Sequence, residues 1–234
     1  MKILTVSDMH LSDRRHYDMS DEERLGKLAD FIRESGTEAV LNLGDTVSRK
    51  PLLLDEFATV EEGFAYYLKW RKSLGIPFAE CAIHRELGFF SKLMGQEVDH
   101  FFELDQNSAI ITLLQQAEYS FTPEQEQFIS NCLDRSLGKT VVIGSHIPYR
   151  GSCSRDKDVF LRVTDALREK METFPGRIIW CGGHFHWDHE PPAVTGSLTA
   201  LYPSRFRIKE RNDYTYTTII DTVTGELTTN FHDF

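Results

Sequence analysis

The chain has 234 residues, 41% hydrophobic and 26% charged, with a formal net charge of −10. That length can bury one large core, so a single domain over residues 1–234 is expected, with no second domain required. The acidic balance argues against nonspecific nucleic-acid binding, which needs Lys and Arg to neutralise phosphates, and no apolar run approaches the roughly 18 residues of a membrane span.

In chain order, residues 2–6 form a short apolar run that reads as a buried strand and leads into Ser7-Asp8-Met9-His10. Ser20, followed by Asp21, Glu22 and Glu23, reads as a helix start, and the helix is expected to run to Gly36 with Leu25, Leu28 and Ile32 inward. Residues 39–43 are a second strand, closed by Gly44-Asp45. Pro51 is expected to open a long helix in which Leu53, Phe57, Val60, Phe64, Tyr67 and Leu68 recur at helical spacing and which Gly75 ends. Residues 76–83 are a further strand. Residues 100–103 and 109–113 pair antiparallel around Asp105-Gln106-Asn107. Thr122-Pro123-Glu124-Gln125 is a capping box with Pro at the first helical position, and its helix ends near Leu137-Gly138. Residues 140–143 make a strand before Gly144-Ser145-His146, a helix spans about residues 156–171, and residues 177–181 make a strand before Gly182-Gly183-His184-Phe185-His186. Residues 197–202, 214–221 and 226–231 read as antiparallel strands. Strands alternating with helices, then a β-rich tail, predict an α/β fold: two mixed sheets packed face to face with helices outside.

Four strand ends therefore carry His or Asp, and in such sheets the loops beyond the carboxyl ends of the strands build the site. Asp8 and His10 are two apart, as are His184 and His186, so each pair projects to one side of an extended segment. Gly182-Gly183 would let the backbone turn tightly before the second pair. Asp8, His10 and His186 make one metal site, and His146 and His184 the other. Asp45 bridges, because two dications about 4 Å apart need a shared anion. Mixed nitrogen and oxygen donors suit manganese first, with iron, zinc or nickel as alternatives, over magnesium or calcium. Cys81, Cys132, Cys153 and Cys181 form no CxxC pair and read as reduced thiols. The apolar start is too short for a signal peptide, so a cytoplasmic protein is expected.

The order D-x-H, G-D, a later lone His and G-H-x-H resembles the calcineurin-like metallophosphoesterase superfamily over residues 2–188. The resemblance implies a four-layer α/β/β/α sandwich, a binuclear metal centre and hydrolysis of a phosphoester substrate. Residues 100–148 also resemble the cyclic-nucleotide phosphodiesterase branch, through Pro123-Glu124-Gln125 and His146-Ile147-Pro148. The family's G-N-H-D/E motif is broken: the matching stretch is Ala82-Ile83-His84-Arg85-Glu86. His84 is retained and takes the catalytic place, stabilising the transition state or protonating the leaving oxygen. Ile83 replaces an Asn ligand. Three outcomes stay open: a weakened second metal site, substitution by Glu86 or Cys81, or a degenerate, non-catalytic chain. The expected chemistry is in-line attack by a metal-activated hydroxide. Arg14 and Arg150 are the leading candidates for binding the substrate phosphate, with Arg15, His16, Arg155 and Arg205 in segments that could also reach it. His189 is a candidate to support the ligands from behind. A nuclease, a lipid-precursor pyrophosphatase and a non-catalytic interaction protein are the rival functions. His84 argues against the pyrophosphatase, because that branch carries Arg there.

Overall fold

The computed structural model describes residues 1–11, 19–48, 59–83, 90–114, 119–149, 161–186, 189–206 and 215–232. Its first sheet is centred on β1 (Lys2–Val6), which pairs parallel with β2 (Ala39–Asn42) and antiparallel with β10 (Thr215–Asp221). β3 (Phe78–Glu80) and β11 (Leu227–His232) form its edges, giving the order β11-β10-β1-β2-β3. The second sheet has the order β4-β5-β6-β7-β9-β8. Its strands are β4 (His100–Glu103), β5 (Ser108–Thr112), β6 (Thr140–Ser145), β7 (Arg177–Gly182), β8 (Ala193–Thr195) and β9 (Leu198–Leu201). β5, β6, β7 and β9 run parallel, and β4 and β8 close the two edges antiparallel.

Strand parity explains the layers. Ile3 of β1, Ala39 and Leu41 of β2, Ile110 of β5, Val142 of β6 and Ile179 and Cys181 of β7 share one buried cluster between the sheets. Their neighbours point the other way. Leu4, Val6 and Val40 pack on Leu25, Leu28 and Ile32 of α1 (Asp21–Glu34), Phe64 and Tyr67 of α2 (Val60–Leu74) and Phe90 of α3 (Phe90–Met94). Val141, Ile143, Ile178 and Trp180 pack on Ile129 and Leu133 of α4 (Pro123–Asp134) and Leu167 and Met171 of α5 (Asp165–Glu172). Strands covered on both faces read as near-continuous apolar runs, which is how these appear. The result is the expected α/β/β/α arrangement, each buried aliphatic side chain contributing about 1.5–3 kcal/mol relative to exposure.

Helix ends follow local chemistry. Ser20 caps α1 in a reciprocal box with Glu23, Thr122 does the same for α4 with Gln125, and Gly75 ends α2 at φ 69°. Two helix starts differ from expectation. The Thr59 side chain accepts from Glu62 N, so α2 begins at Val60, and Pro51 lies outside the described residues. Leu53 and Phe57 lie outside the described residues. Likewise α5 begins at Asp165, because Thr164 is held extended at φ −63°, ψ 155° as its cap and is bonded through backbone N and hydroxyl to Glu126 of α4. Leu161, expected in that helix, instead bridges Tyr149. The β-rich tail does not make a unit of its own. β9 joins β7 in parallel in the second sheet, whereas β10 and β11 complete the first.

Candidate metal centre

All six ligand candidates sit just past the carboxyl ends of central parallel strands: Asp8 and His10 after β1, Asp45 after β2, His146 after β6, and His184 and His186 after β7. Folding gathers them into two triplets, Asp8–His10–His186 and Asp45–His146–His184. Within each, one ligand atom per residue lies within 4.8 Å of the others. Nε2 of His10 is 3.2 Å from Nε2 of His186, with the rings stacked at 5.1 Å and 16°. Nδ1 of His184 is 3.0 Å from Nε2 of His146. Asp45 Oδ2 reaches towards both groups, 3.3 Å from His146 Nε2 and 3.9 Å from His10 Nε2.

The backbone is strained at this place. Among the described residues, the non-glycine residues with positive φ are Asp8 (57°), His10 (44°), Asp45 (51°), His184 (78°) and His186 (51°). Each such conformation costs on the order of 1–3 kcal/mol and persists only where the surroundings over-determine it. Here Asp8 N donates to Gly44 O (3.0 Å), His10 N to Asp45 O (2.9 Å) and Gly183 N to His146 O (2.8 Å), lacing the loops together. Gly182 and Gly183 matter through closeness. Neither has a positive φ; the tight turn begins at Gly183 and is centred on His184 (φ 78°), with Phe185 N donating to Gly183 O at 3.0 Å. A Cβ on Gly182 would meet the Pro148 backbone, and one on Gly183 would run into Ser7 Oγ and lie 2.8 Å from Asp8 Oδ2.

Electrostatics prepare the donors. His146 Nδ1 faces Leu43 O at 2.9 Å, so Nδ1 carries a proton and Nε2 is aimed at Asp45. Burial opposes a charge on His146, yet the Asp45 carboxylate and its hydrogen bond outweigh burial and raise the pKa to about 9. His184 moves the other way, to about 4, through burial and then the neighbouring His146. Burial also opposes the charge on Asp8, but the His186 and His146 imidazoles hold its carboxyl below the usual range. Asp8 Oδ2 additionally accepts from Ser7 Oγ and from His184 N. Nδ1 of His186 is buried and makes no hydrogen bond. Imidazole nitrogens crowded against each other and against carboxylates fit a divalent cation. Four imidazoles and two carboxylates are donors for a first-row transition metal.

The remaining sequence candidates divide. Ile83 is buried against the second triplet's turn, its Cγ2 only 2.9 Å from where a Gly44 Cβ would stand. Cys81 lies in the inter-sheet core, where burial pushes its thiol pKa up, and belongs to neither triplet. Arg205 is buried, with Nη1 3.2 Å from His186 O, and is not a solvated phosphate-reaching side chain. His189 Nε2 bonds to Thr229 Oγ1 at 2.9 Å and packs on Tyr216 and Phe231. His84, Arg85, Glu86, Arg14, Arg15, His16, Arg150 and Arg155 lie outside the described residues.

Sequence reasoning missed the groups that hold the loops. Tyr202 OH accepts from His186 N at 2.7 Å. Asn42 Oδ1 accepts from Gly44 N at 3.1 Å, while its Nδ2 donates to Thr46 Oγ1 at 2.7 Å. Arg24 Nη1 donates to Met9 O at 2.9 Å. The available signal was polarity in a buried setting: an Asn closing an apolar strand, and an Arg on a core-facing helix.

No family model matches the chain, and no curated protein matches it in sequence. In fold it is similar to a protein from Staphylococcus aureus, provisionally a 5'-nucleotidase, solved in complex with alpha-ketoglutarate. The TM-score is 0.56 over 98% of this chain at 11% identity, and the chain spans about half (52%) of that protein. At that identity the likeness carries the fold: two mixed sheets flanked by helices. Among the described residues, no helix is long and apolar enough to cross a membrane.

Proposed function

We propose that this chain is a metal-dependent phosphoester hydrolase of the calcineurin-like type, a phosphodiesterase or phosphatase using two divalent transition metals, manganese first. One observation carries the reading: two His/Asp triplets meet at the strand ends, and five of their six members are held in left-handed backbone. The similarity in fold to a provisional 5'-nucleotidase supports the same reaction class.

Asp8, His10 and His186 would hold one ion and His146 and His184 the other, with Asp45 shared. What such a pair supplies when bound is a more acidic water and compensation of phosphoryl charge. The chain's own contribution is preorganisation. The Leu43 carbonyl keeps the His146 Nε2 lone pair aimed inward, and Tyr202 fixes the His186 backbone. His84 would donate a proton to the leaving oxygen, and Arg14 and Arg150 would bind the phosphate.

Turnover of bis-p-nitrophenyl phosphate by chelator-treated protein, before and after adding manganese, iron, zinc or nickel, tests the reading. Activity restored by metal and absent without it is expected. Wild-type protein that binds metal but turns over no phosphoester in a substrate panel would identify a non-catalytic member of the fold. His84→Ala should retain metal and lose about a hundredfold or more in rate.

A further inference from the structure

Two buried arginines reach the two ligand loops of the first triplet, each donating to a backbone carbonyl within one of them. Arg24, on α1, reaches Met9 O at 2.9 Å, the peptide between Asp8 and His10. Arg205 reaches His186 O at 3.2 Å. Both side chains are about 1% exposed. We infer that Arg24 and Arg205 are positioning residues that set the distance between the Asp8-x-His10 and His184-x-His186 loops, and hence the affinity of the first metal site. The inference rests on the metal-centre reading above.

The geometry supports a clamp more than general packing. Met9 is fully buried and flanked by two left-handed residues, so its carbonyl must find a donor inside the protein. A guanidinium can do this from a helix while its other arm pairs with Asp21, because its donors are fixed in a planar fork. Arg205 is itself anchored. Its backbone exchanges hydrogen bonds with Tyr216 of β10 at 2.9 and 2.8 Å, and its guanidinium lies 5.7 Å from that ring. Arg24 lies 6.0 Å from the ring of Phe206, the residue after Arg205, so the two arms share a footing. The two loops so held carry the His10 and His186 rings, which stack with their Nε2 atoms 3.2 Å apart. Burying two cations beside a cation site is unfavourable unless they do something a neutral side chain cannot. Here each holds strained backbone from another element.

The test is Mn(II) titration of metal-free wild type, Arg24→Lys and Arg205→Lys, read by electron paramagnetic resonance, together with the Mn-induced rise in Tm. Lysine keeps the charge and loses the fork. The tighter class of sites should weaken about tenfold or more in each variant, with the weaker class unchanged and the Mn-induced rise in Tm reduced. Leu133→Ala, in the core of the other sheet, is the control for lost stability: it should lower Tm and leave both affinities alone. Should one arginine variant fail to fold, the other carries the same comparison. Unchanged Mn affinity in the folded arginine variants, or weakening equal to that of Leu133→Ala, would overturn the clamp. Wild type that binds no Mn would overturn the metal-centre reading itself.

Discussion

Asp45 Oδ2 lies 3.3 Å from His146 Nε2, and the same oxygen is 3.9 Å from His10 Nε2 in the other triplet. One carboxylate therefore faces both groups of imidazoles. Asp45→Ala should remove both ions together, whereas His186→Ala should mainly empty the first site. Elemental analysis after Mn loading decides it: wild-type metal content in Asp45→Ala would show that Asp45 is not shared.

The histidine pair predicts opposite pH slopes in metal-free protein. His146 is raised to about 9 from 6.5, so its stabilising charge is fully present below pH 6.5 and lost as pH rises through 9. His184 is lowered to about 4, so the unfolded chain takes up more protons between pH 4 and 6.5, and this group's contribution rises with pH there. The two together favour a maximum near pH 6.5, with the His146 contribution on the order of a few kcal/mol. Urea midpoints of wild type and His146→Gln across pH 5–9.5 check this: the wild-type advantage should shrink above pH 6.5. A ligand must shed its proton, so Mn affinity should climb over the same range.

Glycines supply a paired stability test. Gly183→Ala puts a methyl into Ser7 Oγ beside Asp8 and should cost several kcal/mol or the metal site. Gly26, inside α1, has nothing within 4 Å of a built Cβ, so Gly26→Ala should stabilise by about 0.5–1 kcal/mol. Thermal unfolding of the two variants should move in opposite directions.

Ile83 stands where the resemblance expects an amide ligand, packed against Gly44 beside the second triplet. The second site then has three protein donors, and activity should keep rising at Mn levels well above those that fill the first. Ile83→Asn should lower the Mn concentration for half-maximal turnover. No change in occupancy or rate would show that another group already completes the shell.

The parts of the fold legible in sequence were those whose cause is local. The runs that became β1, β2, β6 and β7 were apolar and short, and Ser20 with its acidic first turn and the Thr122 capping box announced their helices. The six His and Asp residues stood out because each followed a strand, and they are the residues the fold gathers. What could not be read depended on distant partners. The parallel pairing of β9 with β7 leaves no mark in alternation, and Thr164 caps α5 with help from Glu126, 38 residues away. Arg24, Tyr202 and Arg205 act on backbone atoms of remote loops, which residue types alone do not reveal.

The most direct measurement is anomalous diffraction at the manganese edge from crystals grown with Mn(II). The account predicts two peaks: one within about 2.0–2.4 Å of donor atoms of Asp8, His10 and His186, the other equally near His146 and His184, with Asp45 in contact with both. Absence of any anomalous peak near these six residues would contradict it.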